Sequence, residues 1–167
     1  MKMLSAVMKL AAPPIMGAST AYEDNDAIPL PFSSTVKRMV LIIEDSYGIR
    51  AFMRHALITS GYDVFEAGTA FEAYRILRSN TIDAITLDLG LPDEDGLEFL
   101  RAIRSEGEGS FLAVTCPVII CSVRDDRGTR ETAKKLGACA YLKKPFAIDD
   151  LISSVNEAVD PVVNAQN

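Results

Sequence analysis

Four short apolar runs in this 167-residue chain each hand over to a polar or charged side chain. "MVLII" runs into Glu44-Asp45, "AITL" into Asp88, "VIIC" into Ser122 and "AYLK" into Lys144. Carboxylates gathered in one place repel one another unless a cation joins them. Hard oxygen ligands of this kind suit Mg2+, which keeps several waters and binds through a few carboxylates. Lys144 would add an ammonium and Ser122 a hydroxyl donor. A divalent cation, an ammonium and a hydroxyl together suit a phosphoryl group. One of the carboxylates can then serve as nucleophile and form an aspartyl phosphate. Taken singly, each residue has a plain structural reading. An acidic pair after a strand caps or turns the chain, a lysine past an edge strand is solvated, and Ser122 satisfies a strand-end backbone group. Only the set points to chemistry.

The set meets only if the apolar runs lie side by side, and the pattern between them supplies that arrangement. "MVLII" reads as a first strand. In "YGIRAFMRHALITSG", Ile49, Phe52, Met53, Ala56 and Leu57 recur at helical spacing, with Gly61 at the C-cap position. "DVFEA" is a second strand. It ends in Ala67-Gly68 and delivers no polar side chain. A second helix, "TAFEAYRILRSN", carries Ala70, Ala73, Tyr74 and Leu77 on one face. "DAITLDL", "PVIICSV" and "AYLKK" are three further strands, with "PVIICSV" apolar on both faces and so central. "GLEFLRAIRSEG" and "RGTRETAKKLGA" alternate with them, the latter stopping at Gly137. "AIDDLISSVNEAV" closes the series with Ile148, Leu151, Ile152, Val155 and Val159 as its stripe. Alternating strands and helices, with strands too apolar for a one-sided sheet, predict an α/β fold with a parallel sheet covered on both faces. Ligands bind such sheets outside the carboxyl ends of the strands, where the four polar strand ends stand.

"LDLGLPDEDG" packs four acids into ten positions. Asp88 closes the strand. Asp93, Glu94 and Asp95 are read as loop and helix-start acids, favourable near the positive end of a helix dipole, with Asp95-Gly96 as the turn.

Composition excludes little but bounds much. The chain is 49% hydrophobic and 24% charged, ordinary for one globular domain with a real core. Its net charge of -6 argues against nonspecific DNA binding, so no direct contact with nucleic acid is expected. Three cysteines, Cys116, Cys121 and Cys139, lack metal spacing and are odd in number, which fits a reducing compartment and a cytoplasmic protein. The lone histidine, His55, falls off its helix's apolar stripe and is read as solvated. No apolar stretch approaches the roughly 20 residues of a membrane span. Residues 1–36 read as a flexible N-terminal extension, or as sequence not natively translated, since Met39 opens the first strand. Lys9 and Pro13-Pro14 argue against a secretory signal there. The expected domain covers 37–160, with 161–167 a short tail.

From 39 to about 159 the chain resembles the receiver domain of two-component response regulators. The resemblance rests on "IIEDS", "LDLGLPDEDG", "PVIICS" and "GACAYLKKPF", in order and at compatible spacing. It implies a flavodoxin-like (βα)5 three-layer sandwich with strand order 2-1-3-4-5. It also implies roles: Asp88 as phosphoacceptor; Glu44 and Asp45 as the acidic pair serving Mg2+, joined by the Gly90 backbone carbonyl; Ser122 and Lys144 as contacts to the phosphoryl group. Lys144-Pro145 would be a cis peptide. Tyr141 would turn inward when Ser122 moves toward phosphate. Two positions depart from the family's pattern. Val123 follows Ser122 where Ala or Gly is usual and would narrow the route to Asp88. Gly90 offers no side chain near the phosphoryl group, whereas Arg124 can lean over it.

The implied function is a phosphorelay switch rather than an enzyme. A histidine kinase or phosphotransfer protein would phosphorylate Asp88, and an unidentified downstream protein would read the surface of the fourth helix, fifth strand and fifth helix. With no DNA-binding signature after the fifth helix, a stand-alone, chemotaxis-regulator-like receiver is expected. The alternative is a receiver-fold binding module in which phosphorylation is secondary or lost. A different α/β enzyme ranks behind both, because the chain has no G-x-G-x-x-G, P-loop or G-x-S-x-G.

Overall fold

A computed structural model describes residues 37–105, 112 and 114–160. The readings made for residues 1–36 and 161–167 lie outside the described residues. Strands and helices alternate throughout: β1 (Met39–Ile43), α1 (Tyr47–Thr59), β2 (Asp63–Ala67), α2 (Ala70–Ser79), β3 (Ala84–Leu87), α3 (Gly96–Arg104), β4 (Val118–Ser122), α4 (Arg127–Lys135), β5 (Ala140–Lys143) and α5 (Ile148–Val159). The strands form one sheet in the order β2-β1-β3-β4-β5, and every pairing is parallel. This is the flavodoxin-like arrangement that the sequence pattern and the resemblance led us to expect.

Side chains alternate across the strands and build two cores. Leu41, Ile43, Ile85 and Leu87 face one side, where Phe99, Leu100 and Ile103 of α3 and Ala73 of α2 cover them. Val40, Ile42 and Cys121 face the other, against Met53 and Leu57 of α1 and Leu151 and Val155 of α5. All five residues of β4 are buried, as a central strand requires. β2 and β5 form the edges and are only partly covered. Gly61 (φ +94°) and Gly137 (φ +87°) follow α1 and α4 in the left-handed region, where glycine carries no Cβ penalty. Thr69, Asp95 and Asp126 cap α2, α3 and α4 by accepting from backbone N–H groups.

Two residues assigned to apolar stripes do not reach the core. Phe52 is 47% exposed and Ile148 38% exposed. Met53, Ala56 and Leu57 are the buried residues of α1. Phe52 instead lines a shallow groove of about 350 Å3 with Gly48, Ile49, Val123, Lys144, Pro145 and Phe146. Ile148 opens α5 ahead of Leu151, the first residue of that helix buried against the sheet. His55 is exposed, as read. Among the described residues no helix is long and apolar enough to cross a membrane.

These placements separate two phenylalanines. Phe99→Ala should cost about 3–5 kcal/mol in urea unfolding, as expected for an aromatic side chain removed from a packed interior. Phe52→Ala should cost less than about 1 kcal/mol. Equal losses would contradict the packing.

Candidate acidic site at the carboxyl edge of the sheet

Parallel pairing carries the carboxyl ends of all strands to one edge. β1 and β3 are adjacent there, so Glu44 and Asp45 meet Asp88. One carboxylate oxygen from each of the three lies within 4.8 Å of the others. Glu44 and Asp88 are buried, whereas Asp45 is exposed. Lys144 follows β5, not within it as the sequence reading had it, because regular pairing stops at Lys143. Its backbone N–H still donates to the Ser122 carbonyl at 2.9 Å, and the Lys144-Pro145 peptide is cis. The ammonium reaches back across the sheet edge. Nζ lies 2.5 Å from Glu44 Oε2 and 2.6 Å from Asp88 Oδ2. The other oxygens are also engaged: Ser46 N–H donates to Glu44 Oε1 at 3.3 Å and Gly90 N–H to Asp88 Oδ1 at 3.1 Å.

Burial pushes the Glu44 carboxyl above its usual range, against the opposing pull of Lys144. Burial alone would lower Lys144, but its hydrogen bonds to Asp88 and Glu44 outweigh that and raise it. The lysine is therefore a fixed cation.

Ser122 is fully buried at the end of β4, and its Oγ accepts from the Arg124 N–H at 3.3 Å. Tyr141 donates from its hydroxyl to the Arg124 carbonyl, and the Arg130 guanidinium stands 4.4 Å over its ring. The Arg124 side chain pairs with Asp95 at 2.6 Å. It thus ties the loop after β4 to the start of α3. Val123 beside it is 72% exposed.

The three later acids divide differently from the reading above. Asp95 does cap α3, accepting from Leu97 N–H at 2.9 Å. Asp93 serves α2 instead, accepting from Ala70 and Phe71 N–H at 2.9 Å each. Against a desolvation penalty, those N–H groups hold its carboxyl below the ordinary range. Glu94 accepts from the Tyr74 hydroxyl, also on α2. Gly96 is compulsory, since a Cβ would sit 2.6 Å from the Asp88 carbonyl and the Leu89 Cα.

Sequence reasoning passed over Arg50. Its guanidinium donates to the Glu44 carbonyl at 2.5 Å and the Asp45 carbonyl at 3.2 Å. The one available signal was a cation six residues past Glu44, on the turn of helix that follows the acidic pair.

Residues 40–156 match the sequence profile described as the response regulator receiver domain. The chain is 42% identical over 120 residues to the KDP operon transcriptional regulatory protein KdpE of Escherichia coli (strain K12), covering 72% of this chain and 50% of that protein. It is 33% identical over 114 residues to response regulator MprA of Mycobacterium sp. (strain KMS), covering 68% and 47%. It therefore spans about half the length of the curated relatives it matches. Among solved structures, the Francisella response regulator 1452 receiver domain superposes with a TM-score of 0.66 at 30% identity, covering 75% of this chain and 98% of that one.

Lys144→Met leaves two buried carboxylates without their cation. Breaking such a pair costs about 3–5 kcal/mol, measurable by urea unfolding at neutral pH. A buried carboxyl with a raised pKa binds more protons folded than unfolded, so lowering the pH favours the folded variant. The deficit should therefore shrink between about pH 7 and about pH 5. A deficit unchanged by pH would contradict the coupling.

Proposed function

The chain belongs to the response regulator receiver domain family of two-component signalling, and from that premise we propose that Asp88 is its phosphoacceptor. The donor is a histidine kinase or a phosphotransfer protein. A carboxylate oxygen of Asp88 attacks phosphorus, the N–P bond of the donor phosphohistidine breaks, and the imidazole leaves. The observation that carries this reading is the setting of Asp88. It is a buried carboxylate at a strand end, 2.6 Å from a fixed ammonium and within 4.8 Å of two further carboxylates.

The donor set fits Mg2+: three carboxylates, all hard oxygen ligands, one of them open to solvent. Asp45, Asp88 and the Gly90 carbonyl would hold the ion, with Glu44 supporting. Bound there, Mg2+ would neutralise charge developing on the transferred phosphoryl oxygens. Lys144 and the Ser122 hydroxyl would hold the new phosphoryl group. Tyr141 would carry the change to the surface formed by α4, β5 and α5, which a partner protein reads. Phosphorylation shifts that equilibrium only by as much as it favours one state. The expectation of no direct contact with nucleic acid finds no support among the relatives, one of which is by name a transcriptional regulatory protein.

Acetyl phosphate with Mg2+ should add one phosphoryl group, seen by intact mass, and Asp88→Ala should abolish it. No added phosphate, or phosphate retained in Asp88→Ala, would overturn the proposal in favour of a receiver-fold binding module.

A further inference from the structure

Arg50 stands on the first turn of α1, and its guanidinium folds back over the helix start. Nη1 donates to two successive carbonyls, those of Glu44 and Asp45, while Nε lies 3.5 Å from Glu66 on β2. Its side chain is only 17% exposed. Gly68, just past the strand that delivers no polar side chain, lies against it: a Cβ there would make ordinary contact with Nη1 at 3.4 Å. The loop it grips is otherwise tied through Glu44, whose N–H donates to the Ala67 carbonyl at 3.0 Å and whose Oε1 accepts from the Ser46 N–H at 3.3 Å. Ser46 gives α1 no side-chain cap, and among the described residues no hydrogen bond or ion pair holds the Asp45 carboxylate. The direction of that carboxylate therefore depends on the backbone beneath it.

We propose that Arg50 is a positioning residue for the divalent-cation site: by fixing the Glu44 and Asp45 peptides it aims the Asp45 carboxylate at Asp88 before an ion arrives. This rests on the Mg2+ reading above.

The proposal makes a prediction of opposite sign to plain electrostatics. A cation beside the site repels Mg2+, so deleting its charge should tighten binding. Loss of positioning should weaken it. Arg54 supplies the control, because it sits one turn further along α1 and pairs with the same Glu66 but touches no carbonyl of the loop. Arg50→Gln should weaken Mg2+ binding about tenfold, the factor lost with a charge-assisted hydrogen bond. Arg54→Gln should leave it within about twofold. Arg50→Lys keeps the charge but not the planar fork, and should still bind more weakly than the parent. It also serves if the glutamine variant fails to fold.

The measurement is isothermal titration of the full chain with MgCl2, with amide NMR spectra confirming that each variant is folded. Parent binding with Arg50→Gln unchanged or tighter overturns this inference alone. So does Arg50→Lys at the parent's affinity, or an Arg54→Gln loss equal to that of Arg50→Gln. Failure of the parent chain to bind Mg2+ overturns the metal reading beneath it, and this inference with it.

Discussion

The ammonium of Lys144 sets the terms for the rest of the site. Glu44 and Asp88 are both taken out of water at the sheet edge, and each is within 2.6 Å of that one cation. Two buried carboxylates so close cannot both stay ionised without a partner. Three carboxylates against one ammonium still leave the cluster two charges negative. A second lysine would neutralise part of that excess and fill the space. A divalent cation neutralises all of it and leaves room for a ligand of its own. The acidity of the cluster is therefore a standing attraction, held in check by one lysine and completed by whatever cation arrives.

That lysine can act only because of the topology. β5 lies at the edge, next to β4 and separated from β1 by both β4 and β3, yet the Lys144 side chain spans to Glu44. The backbone bond from Lys144 N–H to Ser122 prolongs the ladder one residue past the strand and fixes where the side chain starts. On the other flank, the loop after β3 is pinned at several points. Asp93 binds the start of α2, Asp95 binds α3 and Arg124, and Gly96 permits the close approach to the Asp88 carbonyl. Asp88, the proposed nucleophile, is followed by a loop tied to two helices and a neighbouring loop, so it would lose little freedom on reacting, which is what preorganisation means here.

Strand ends were legible because each is a local event, an apolar run meeting a polar residue, and parallel order does the rest. Glu44, Asp45, Asp88, Ser122 and Lys144 were all named this way, and the structure brings them to one edge. The errors share a cause. Helical period says which way Phe52 and Ile148 point, but not how far the opposite layer extends, and both overhang its margin. Asp93 looked like part of the α3 start because its neighbour Asp95 is. Its partners lie 23 and 22 residues back, on a helix that only the folded sheet brings near. Arg50 was invisible for a related reason. The partners that tie it to the acidic pair are backbone carbonyls, which leave no trace in residue identity.

Arg124 joins the site to the surface beyond it through three different groups. Its N–H meets the Ser122 hydroxyl oxygen, its carbonyl takes the Tyr141 hydroxyl, and its guanidinium holds Asp95. Contact alone is not coupling, because a signal needs an element with two arrangements that the ligand distinguishes. Ser122 meets that condition in the proposed switch. Its oxygen accepts from Arg124, and among the described residues no acceptor takes its proton, which can turn to another acceptor. A phosphoryl oxygen on Asp88 would be such an acceptor, and a move by Ser122 toward it would strain the Arg124 N–H bond. Asp95 would oppose that motion by anchoring the guanidinium of the same residue. In the proposed switch the threshold would then depend on an ion pair that is partly open to water, where its hold weakens as salt rises.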